Sequence, residues 1–271
     1  EIYTLSLHDA LPIFGAVPTC ATGQRDLIPP VPSDAPQFVR EVTATMLVGR
    51  GDELPVSVLP VDGSYPSGTT RYEKRNISEI IAVWDNEACI QCGNCSFVCP
   101  HAVLRAKYYP SEVVENAPEG FLSQPLDAAG LPDTNYTLQV YAEDCTGCGL
   151  CVEACPVRPV GQPNRRAINL EPVLEREKEK EAVKFFETIP LNDRRNVDFG
   201  TVRGTQFLEP LFEFSGACSG CGETPYLKLL TQLFGDRVTV ANATGCSSIY
   251  GGNLPTTPWA KNSSKDRKSV V

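Results

Sequence analysis

Cys89-Ile-Gln-Cys92-Gly-Asn-Cys95-Ser-Phe-Val-Cys99-Pro100 and Cys145-Thr-Gly-Cys148-Gly-Leu-Cys151-Val-Glu-Ala-Cys155-Pro156 are two copies of one pattern, C-x2-C-x2-C-x3-C-P. Three thiolates at this spacing let one loop wrap three corners of an iron–sulfur cube. The fourth cysteine moves off with the next element and serves the other cube. Gly93, Gly147 and Gly149 permit close backbone approach, where N–H groups can donate to sulfur. A proline after each run stops a helix from continuing back through the loop. The pattern predicts one [4Fe-4S] centre on Cys89, Cys92, Cys95 and Cys155. It predicts a second on Cys145, Cys148, Cys151 and Cys99. Structural zinc is the rival, but zinc sites seldom pack four cysteines so tightly, and twice.

The rest of the composition agrees with an intracellular metal protein. Twelve Cys and only two His, His8 and His101, disfavour mixed Cys/His zinc sites. Paired spacing of this kind reads as metal ligation rather than as a secreted disulfide framework. A net charge of -9 argues against a general nucleic-acid binder. No apolar run is long enough to span a bilayer and no secretory leader opens the chain, so the expected location is cytoplasmic.

Outward from the two runs the chain divides into five stretches. Residues 1–13 and 263–271 differ in style from the remainder and read as non-native ends. Residues 14–80 are rich in Pro and Gly, with a helix expected over Val39–Val48 and a strand over Leu54–Leu59. Residues 81–170 form a ferredoxin-like unit, in which two strand–loop–helix halves are related by a pseudo-twofold axis. A strand is expected over Thr137–Ala142, and the segment between Cys99 and Cys145 is expected to cover the unit's surface. In residues 171–262, Pro172 opens a solvated linking helix with i,i+3 pairs Glu175–Lys178, Glu177–Lys180 and Glu181–Lys184. The expected fold class is therefore α+β, with a two-[4Fe-4S] bacterial ferredoxin-like domain followed by the start of an α/β domain.

The last stretch carries a second cysteine set. Cys218-Ser-Gly-Cys221-Gly-Glu223-Thr224-Pro225 precedes an apolar helix, Tyr226–Phe234, with Thr224 as its cap and Gly235 as its stop. A strand over Arg237–Ala241 leads to Ala243-Thr-Gly-Cys246-Ser-Ser, and strand-end loops of this type hold cofactors in open sheets. Zinc or a redox disulfide remains a rival for the CxxC.

With these pieces together the sequence resembles the pyruvate:ferredoxin (flavodoxin) oxidoreductases. The resemblance rests on YPSGTTRYEKRNI (65–77), both cysteine runs, FSGACSGCGETPYLKLLTQLFGDR (214–237) and ANATGCSSIYGGNLPTTPW (241–259). It implies oxidative decarboxylation of pyruvate on thiamine diphosphate with Mg2+, three [4Fe-4S] clusters, coenzyme A as co-substrate and acetyl-CoA as product. It also implies ferredoxin or flavodoxin as electron acceptor, and a homodimer of multidomain chains. Residues 14–80 would be the small domain named for Glu73, Lys74 and Arg75. Cys218, Cys221 and Cys246 would hold the cluster nearest thiamine, and Glu223 and Cys246 would touch thiamine diphosphate. The fourth ligand of that cluster and the Gly-Asp-Gly-like stretch for Mg2+ have no counterpart here. The chain thus reads as an internal fragment without catalytic residues of its own, inactive in decarboxylation. The alternative is a stand-alone ferredoxin-type carrier with an unrelated α/β extension, which would need neither CSGCGE nor ATGCSS.

Overall fold

Each cysteine run forces the same local structure. Gly93 and Gly149 take left-handed conformations, with φ of 78° and 79°, and each turns the loop into a one-turn helix. The helices stop at Val98 and Ala154 because Cys99 and Cys155 precede proline and are held extended. The computed structural model describes residues 29–173, 176–241, 243–252 and 255–262, and for 176–179 the backbone alone. Residues 1–13 and 263–271, read above as non-native, lie outside the described residues.

In chain order a short helical segment, Val39–Thr43 continued by α1 (Ala44–Leu47), precedes β1 (Ile80–Trp84), α2 (Asn94–Val98) and β2 (Leu104–Pro110). Then come β3 (Gln124–Pro125), β4 (Thr134–Val140), α3 (Leu150–Ala154) and β5 (Ile168–Pro172). Four helices follow: α4 (Arg176–Thr188), α5 (Val202–Gln206), α6 (Thr224–Phe234) and α7 (Cys246–Gly252). β1 pairs antiparallel with β5, Trp84 opposite Ile168, and β2 pairs antiparallel with β4, Tyr108 opposite Tyr136. The first strand of each half thus pairs with the last strand of the other, the arrangement a pseudo-twofold axis requires. The fold is mixed α+β.

The main core lies between these two ladders. Ile81, Trp84, Leu104, Tyr136, Leu138, Ile168, Phe207 and Phe214 are buried in one cluster with Cys99, Cys145, Cys151 and Cys155. Trp84 and Tyr136 meet edge to face at 5.8 Å. The cysteines are therefore part of the packed interior. The segment between Cys99 and Cys145 is largely structured, since β2, β4 and β3 form a three-stranded sheet.

Several local expectations are corrected. Leu54–Leu59 is not a strand: a tight turn at Val56–Val58 occupies it, another at Gly51–Glu53 precedes it, and Pro55 denies a ladder an N–H donor. Arg237–Ala241 forms no ladder strand among the described residues; α6 runs into a turn instead. Thr224 is the first helical residue of α6 rather than its cap, and its buried hydroxyl has no partner. Gly235 does end α6 but is right-handed, at φ -57°; a Cβ there would meet Leu211 Cδ1 at 2.7 Å, so close packing is its reason. Glu175–Lys178 and Glu177–Lys180 involve side chains outside the described residues. Lys180 pairs with Glu143 at 3.1 Å. Glu181 and Lys184 form no ion pair. Nor is α4 a solvated linker: Ala182 and Phe186 are buried against Tyr109 and Phe121. The buried Lys107 donates from Nζ to the carbonyls of Phe186 (2.8 Å) and Ile189, closing the carboxyl end of α4.

Gly93 and Gly161 separate two effects of a left-handed glycine. Both have φ near 77–78°, but a Cβ on Gly93 would stand 2.9 Å from Arg203 Cα, whereas one on Gly161 meets nothing. Gly161→Ala is expected to lower stability by about 1–2 kcal/mol from backbone strain alone. Gly93→Ala is expected to cost at least about twice that, because α5 must move. Urea unfolding of the two variants measures the difference.

Candidate metal centres

The two runs do not enclose one site each. Cys89, Cys92 and Cys95 line one cavity together with Cys155, and Trp84, Tyr136 and Ile168 complete its wall. Cys145, Cys148 and Cys151 line the other together with Cys99, beside Ala82, Val103 and Leu170. Each encloses about 320 Å³ of space free of protein atoms, part of it open to solvent. The exchange follows from the topology: α2 and α3 pack side by side, so each run's last cysteine emerges against its neighbour's cavity. Among the described residues no three Cys, His, Asp or Glu side chains converge tightly enough to hold a single ion. The sulfurs surround a volume rather than a point.

The donor set fits a cationic cluster. Burial pushes the Cys89, Cys95 and Cys145 thiols up, and Cys151 up to about 12. Bare thiols so placed stay protonated, and thiolates need a buried cation to hold them. Backbone N–H groups are already directed inward, as Gln91 N donates to Cys89 Sγ at 3.3 Å. The Trp84 side chain, on the first cavity's wall, hydrogen-bonds toward the Cys89 thiol and acts to lower its pKa, against the larger effect of burial.

At one equivalent left-handed position the two loops use different residues. Gly147 (φ 63°) is replaced in the first run by Gln91, which takes the left-handed region at φ 57°. Gln91 is held there by its amide: Nε2 donates to Pro125 O at 2.7 Å, and Oε1 accepts from Asp127 N at 3.0 Å. The sheet between the runs therefore clamps the first loop. Gly147 needs its missing Cβ for a close approach, since one would stand 2.9 Å from Ile80 O.

The third cysteine set sits against the second cavity. Cys218 and Cys221 share a turn, Cys221 N donating to Cys218 O at 3.0 Å. Ser219 Oγ lies 3.3 Å from Thr146 Oγ1, and a Cβ on Gly220 would be 3.9 Å from Cys148 Cβ. Cys246 opens α7, and both it and Cys221 act electrostatically on Tyr250, whose hydroxyl donates to Glu223 Oε2 at 2.6 Å. Burial and Glu223 push the Tyr250 phenol up. Cys218 and Cys246 are exposed. Cys20, the remaining cysteine, lies outside the described residues.

The Glu-Lys-Arg triplet ties three segments together. Lys74 Nζ pairs with the buried Asp144 at 2.6 Å, one residue before Cys145, and stands over the Phe214 ring at 4.8 Å. Glu73 accepts from Thr256 Oγ1 at 2.7 Å and pairs with Arg75 at 3.2 Å. The Arg75 guanidinium occupies the space a Cβ on Gly216 would need. Nearby, Glu213 is buried between Arg105 and Arg71. Burial raises its carboxyl, but the two guanidinium groups outweigh that and hold it below the usual range. His101 Nδ1 donates to Ser215 O at 3.0 Å, and burial holds the imidazole below its ordinary pKa.

Residues 88–158 match the model of the 4Fe-4S dicluster domain, and residues 24–78 match EKR, a domain of unknown function. The pyruvate-flavodoxin oxidoreductase of Nostoc is 54% identical over 234 residues, covering 86% of this chain and 20% of that protein. That of Rhodospirillum rubrum is 51% identical over 249 residues (90% and 20%). The pyruvate:ferredoxin oxidoreductase of Moorella thermoacetica is 46% identical over 234 residues (85% and 19%). The chain is homologous to an internal segment of the pyruvate-flavodoxin oxidoreductases. It spans about a fifth of the length of these relatives and carries a 4Fe-4S dicluster domain. No helix among the described residues is long and apolar enough to cross a membrane.

Asp144, Gln91, Glu213 and Lys228 have roles that no sequence motif marks. A lysine within the apolar run Tyr226–Phe234 was the one available signal. Lys74 and Asp144 give a direct test. Lys74→Met leaves a carboxylate with only 5% side-chain exposure unpaired and is expected to cost about 3 kcal/mol, the low end for a buried pair because Lys74 is partly solvated. Lys74→Met/Asp144→Asn is expected to recover more than half of that in chemical denaturation.

Proposed function

We propose that this chain is the electron-carrying segment of a 2-oxoacid:ferredoxin/flavodoxin oxidoreductase that acts on pyruvate. The observation that supports it most is the exchange of the fourth cysteines between two cavities of equal size. A single-cluster or zinc protein has no need of that arrangement.

In this reading Cys89, Cys92, Cys95 and Cys155 hold one [4Fe-4S] cluster, and Cys145, Cys148, Cys151 and Cys99 hold another. Cys218, Cys221 and Cys246 hold three corners of a third, on the side where Glu223 and Cys246 face thiamine diphosphate. The clusters supply one-electron storage at each site. The chain supplies the spacing: Ser219 and Gly220 press the third set against Cys148, and the paired helices α2 and α3 set the first two cavities side by side. With clusters bound, that order of sites would let electrons pass from the third set, through the second cavity, to the first. The acceptor beyond is ferredoxin or flavodoxin. Thiamine diphosphate with Mg2+, coenzyme A, a homodimeric assembly and a cytoplasmic setting complete the proposal. The division into a small Glu-Lys-Arg domain (14–80), a ferredoxin-like domain (81–170) and a thiamine-diphosphate-binding segment (171–262) belongs to the same reading. A stand-alone carrier is disfavoured by the third cysteine loop, which a simple ferredoxin does not need.

Anaerobic reconstitution with iron and sulfide tests this. The chain is expected to show two interacting [4Fe-4S] signals by electron paramagnetic resonance and to pass electrons to flavodoxin. It is expected to release no CO2 from labelled pyruvate. Three protein thiolates leave one iron of the third cluster to water or added thiol, so that cluster should go first on exposure to air. Cys148→Ala should then remove far more stable iron than Cys218→Ala. Equal losses from the two variants would contradict the assignment.

A further inference from the structure

On the helix that follows the third cysteine loop, Leu227 and Leu233 pack against apolar clusters, but the most deeply buried stripe is polar. On α6 the buried residues are Thr224, Pro225, Lys228, Thr231 and Gln232, while Tyr226 is 68% and Phe234 is 44% exposed. A stripe at i, i+4, i+7 and i+8 should be apolar if hydrophobic burial placed it. Here it is polar, and it carries a lysine 3% exposed.

Lys228 has no carboxylate partner among the described residues. Its Nζ donates to the carbonyls of Ser96 and of Phe97, the latter at 3.2 Å. Both belong to α2, the one-turn helix between Cys95 of the first cavity and Cys99 of the second. The cavity beside it, of about 1090 Å³, has the carboxylates Glu187, Glu209 and Glu213 on its walls. Glu213 is committed to Arg71 and Arg105, and none of the three reaches the ammonium. Two carbonyl dipoles do not offset the burial of a full charge. Burial, with the Arg105 guanidinium acting the same way, drives the ammonium's pKa down to about 8, and the groups that act to raise it again are Cys99 and Cys95. The negative charge placed to act on it is that of the two cysteine sites on either side of Ser96 and Phe97.

We propose that Lys228 is a shared charge-compensating residue that raises the reduction potentials of both ferredoxin-type clusters. This rests on the assignment of [4Fe-4S] centres to the two four-cysteine cavities. One-electron reduction of a four-thiolate cluster adds a negative charge that no proton neutralises. A fixed cation between Cys95 and Cys99, in a medium that screens weakly, favours the reduced form at both sites. Because the cation comes from α6, the segment bearing the third cysteine set also tunes the two clusters that receive its electrons.

The test is redox titration of the reconstituted chain with dithionite as electron donor, followed by electron paramagnetic resonance, for the parent, Lys228→Gln and Lys228→Arg. Gln retains an N–H donor for the carbonyls and removes the charge; Arg retains the charge. The Gln variant is expected to keep its iron while the equilibrium at both clusters shifts about tenfold toward the oxidised form, about 59 mV for a one-electron couple. That shift should survive high salt, because a buried charge is poorly screened. The Arg variant is expected to stay within about threefold of the parent. Unchanged potentials in Lys228→Gln, or an equal fall in Lys228→Arg, would overturn the proposal. So would loss of iron from the Gln variant alone, since Lys228 would then hold the fold and not the potential. Absence of [4Fe-4S] signals in the parent would instead overturn the cluster assignment itself.

Discussion

Each four-cysteine cavity takes three sulfurs from one run and the fourth from the other, and neither is complete until both runs have met. That requirement orders the whole ferredoxin-like unit. It demands that β1 pair with β5 and β2 with β4, so that α2 and α3 lie against each other with Cys99 and Cys155 crossing over. Those ladders join residues far apart in sequence, and their closure entropy has to be offset by burial and by whatever binds the sulfurs. The core reflects this, because four of the eight cysteines are buried among Ile81, Trp84, Tyr136 and Ile168.

The segments outside this unit are attached to it at the points where the sulfurs are set. Asp144, next to Cys145, is held by Lys74 of the Glu-Lys-Arg triplet. Gln91, inside the first run, is held by the backbone of 125–127. Ser96 and Phe97, between Cys95 and Cys99, receive Lys228 from α6. Thr146, inside the second run, meets Ser219 of the third cysteine loop. A 4Fe-4S dicluster domain gains from such bracing, since small shifts in spacing or local charge act directly on the potentials of clusters bound in it.

The balance of charge follows the same logic. Glu213 is buried, but two guanidinium groups share it. Lys107 is buried, but the open carboxyl end of α4 receives it. Lys228 alone among these groups is buried with neither a carboxylate nor the end of a long helix to satisfy it, which is what directs attention to the sulfurs on either side.

Spacing alone was enough to read a 4Fe-4S dicluster domain. Eight cysteines in two C-x2-C-x2-C-x3-C-P runs, each closed by proline, dictate two glycine-turned loops with one-turn helices, because φ at Gly93 and Gly149 and the pre-proline geometry at Cys99 and Cys155 are local properties. A pseudo-twofold pair of strand–loop–helix halves and an α+β class were legible from the repeat itself. What required the tertiary structure was everything set by partners distant in the chain. Leu54–Leu59 looked like a strand but had no ladder to join. Gly235 was legible as the stop of α6, but its close packing against Leu211 was not. Lys228 sat in a run that read as apolar, yet it turned out to lie on the buried face, because the surface it meets is a row of carbonyls between two cysteine sites and not hydrocarbon. Periodicity reports how residues are spaced around a helix; it carries no information about the chemistry of the surface that the helix will meet.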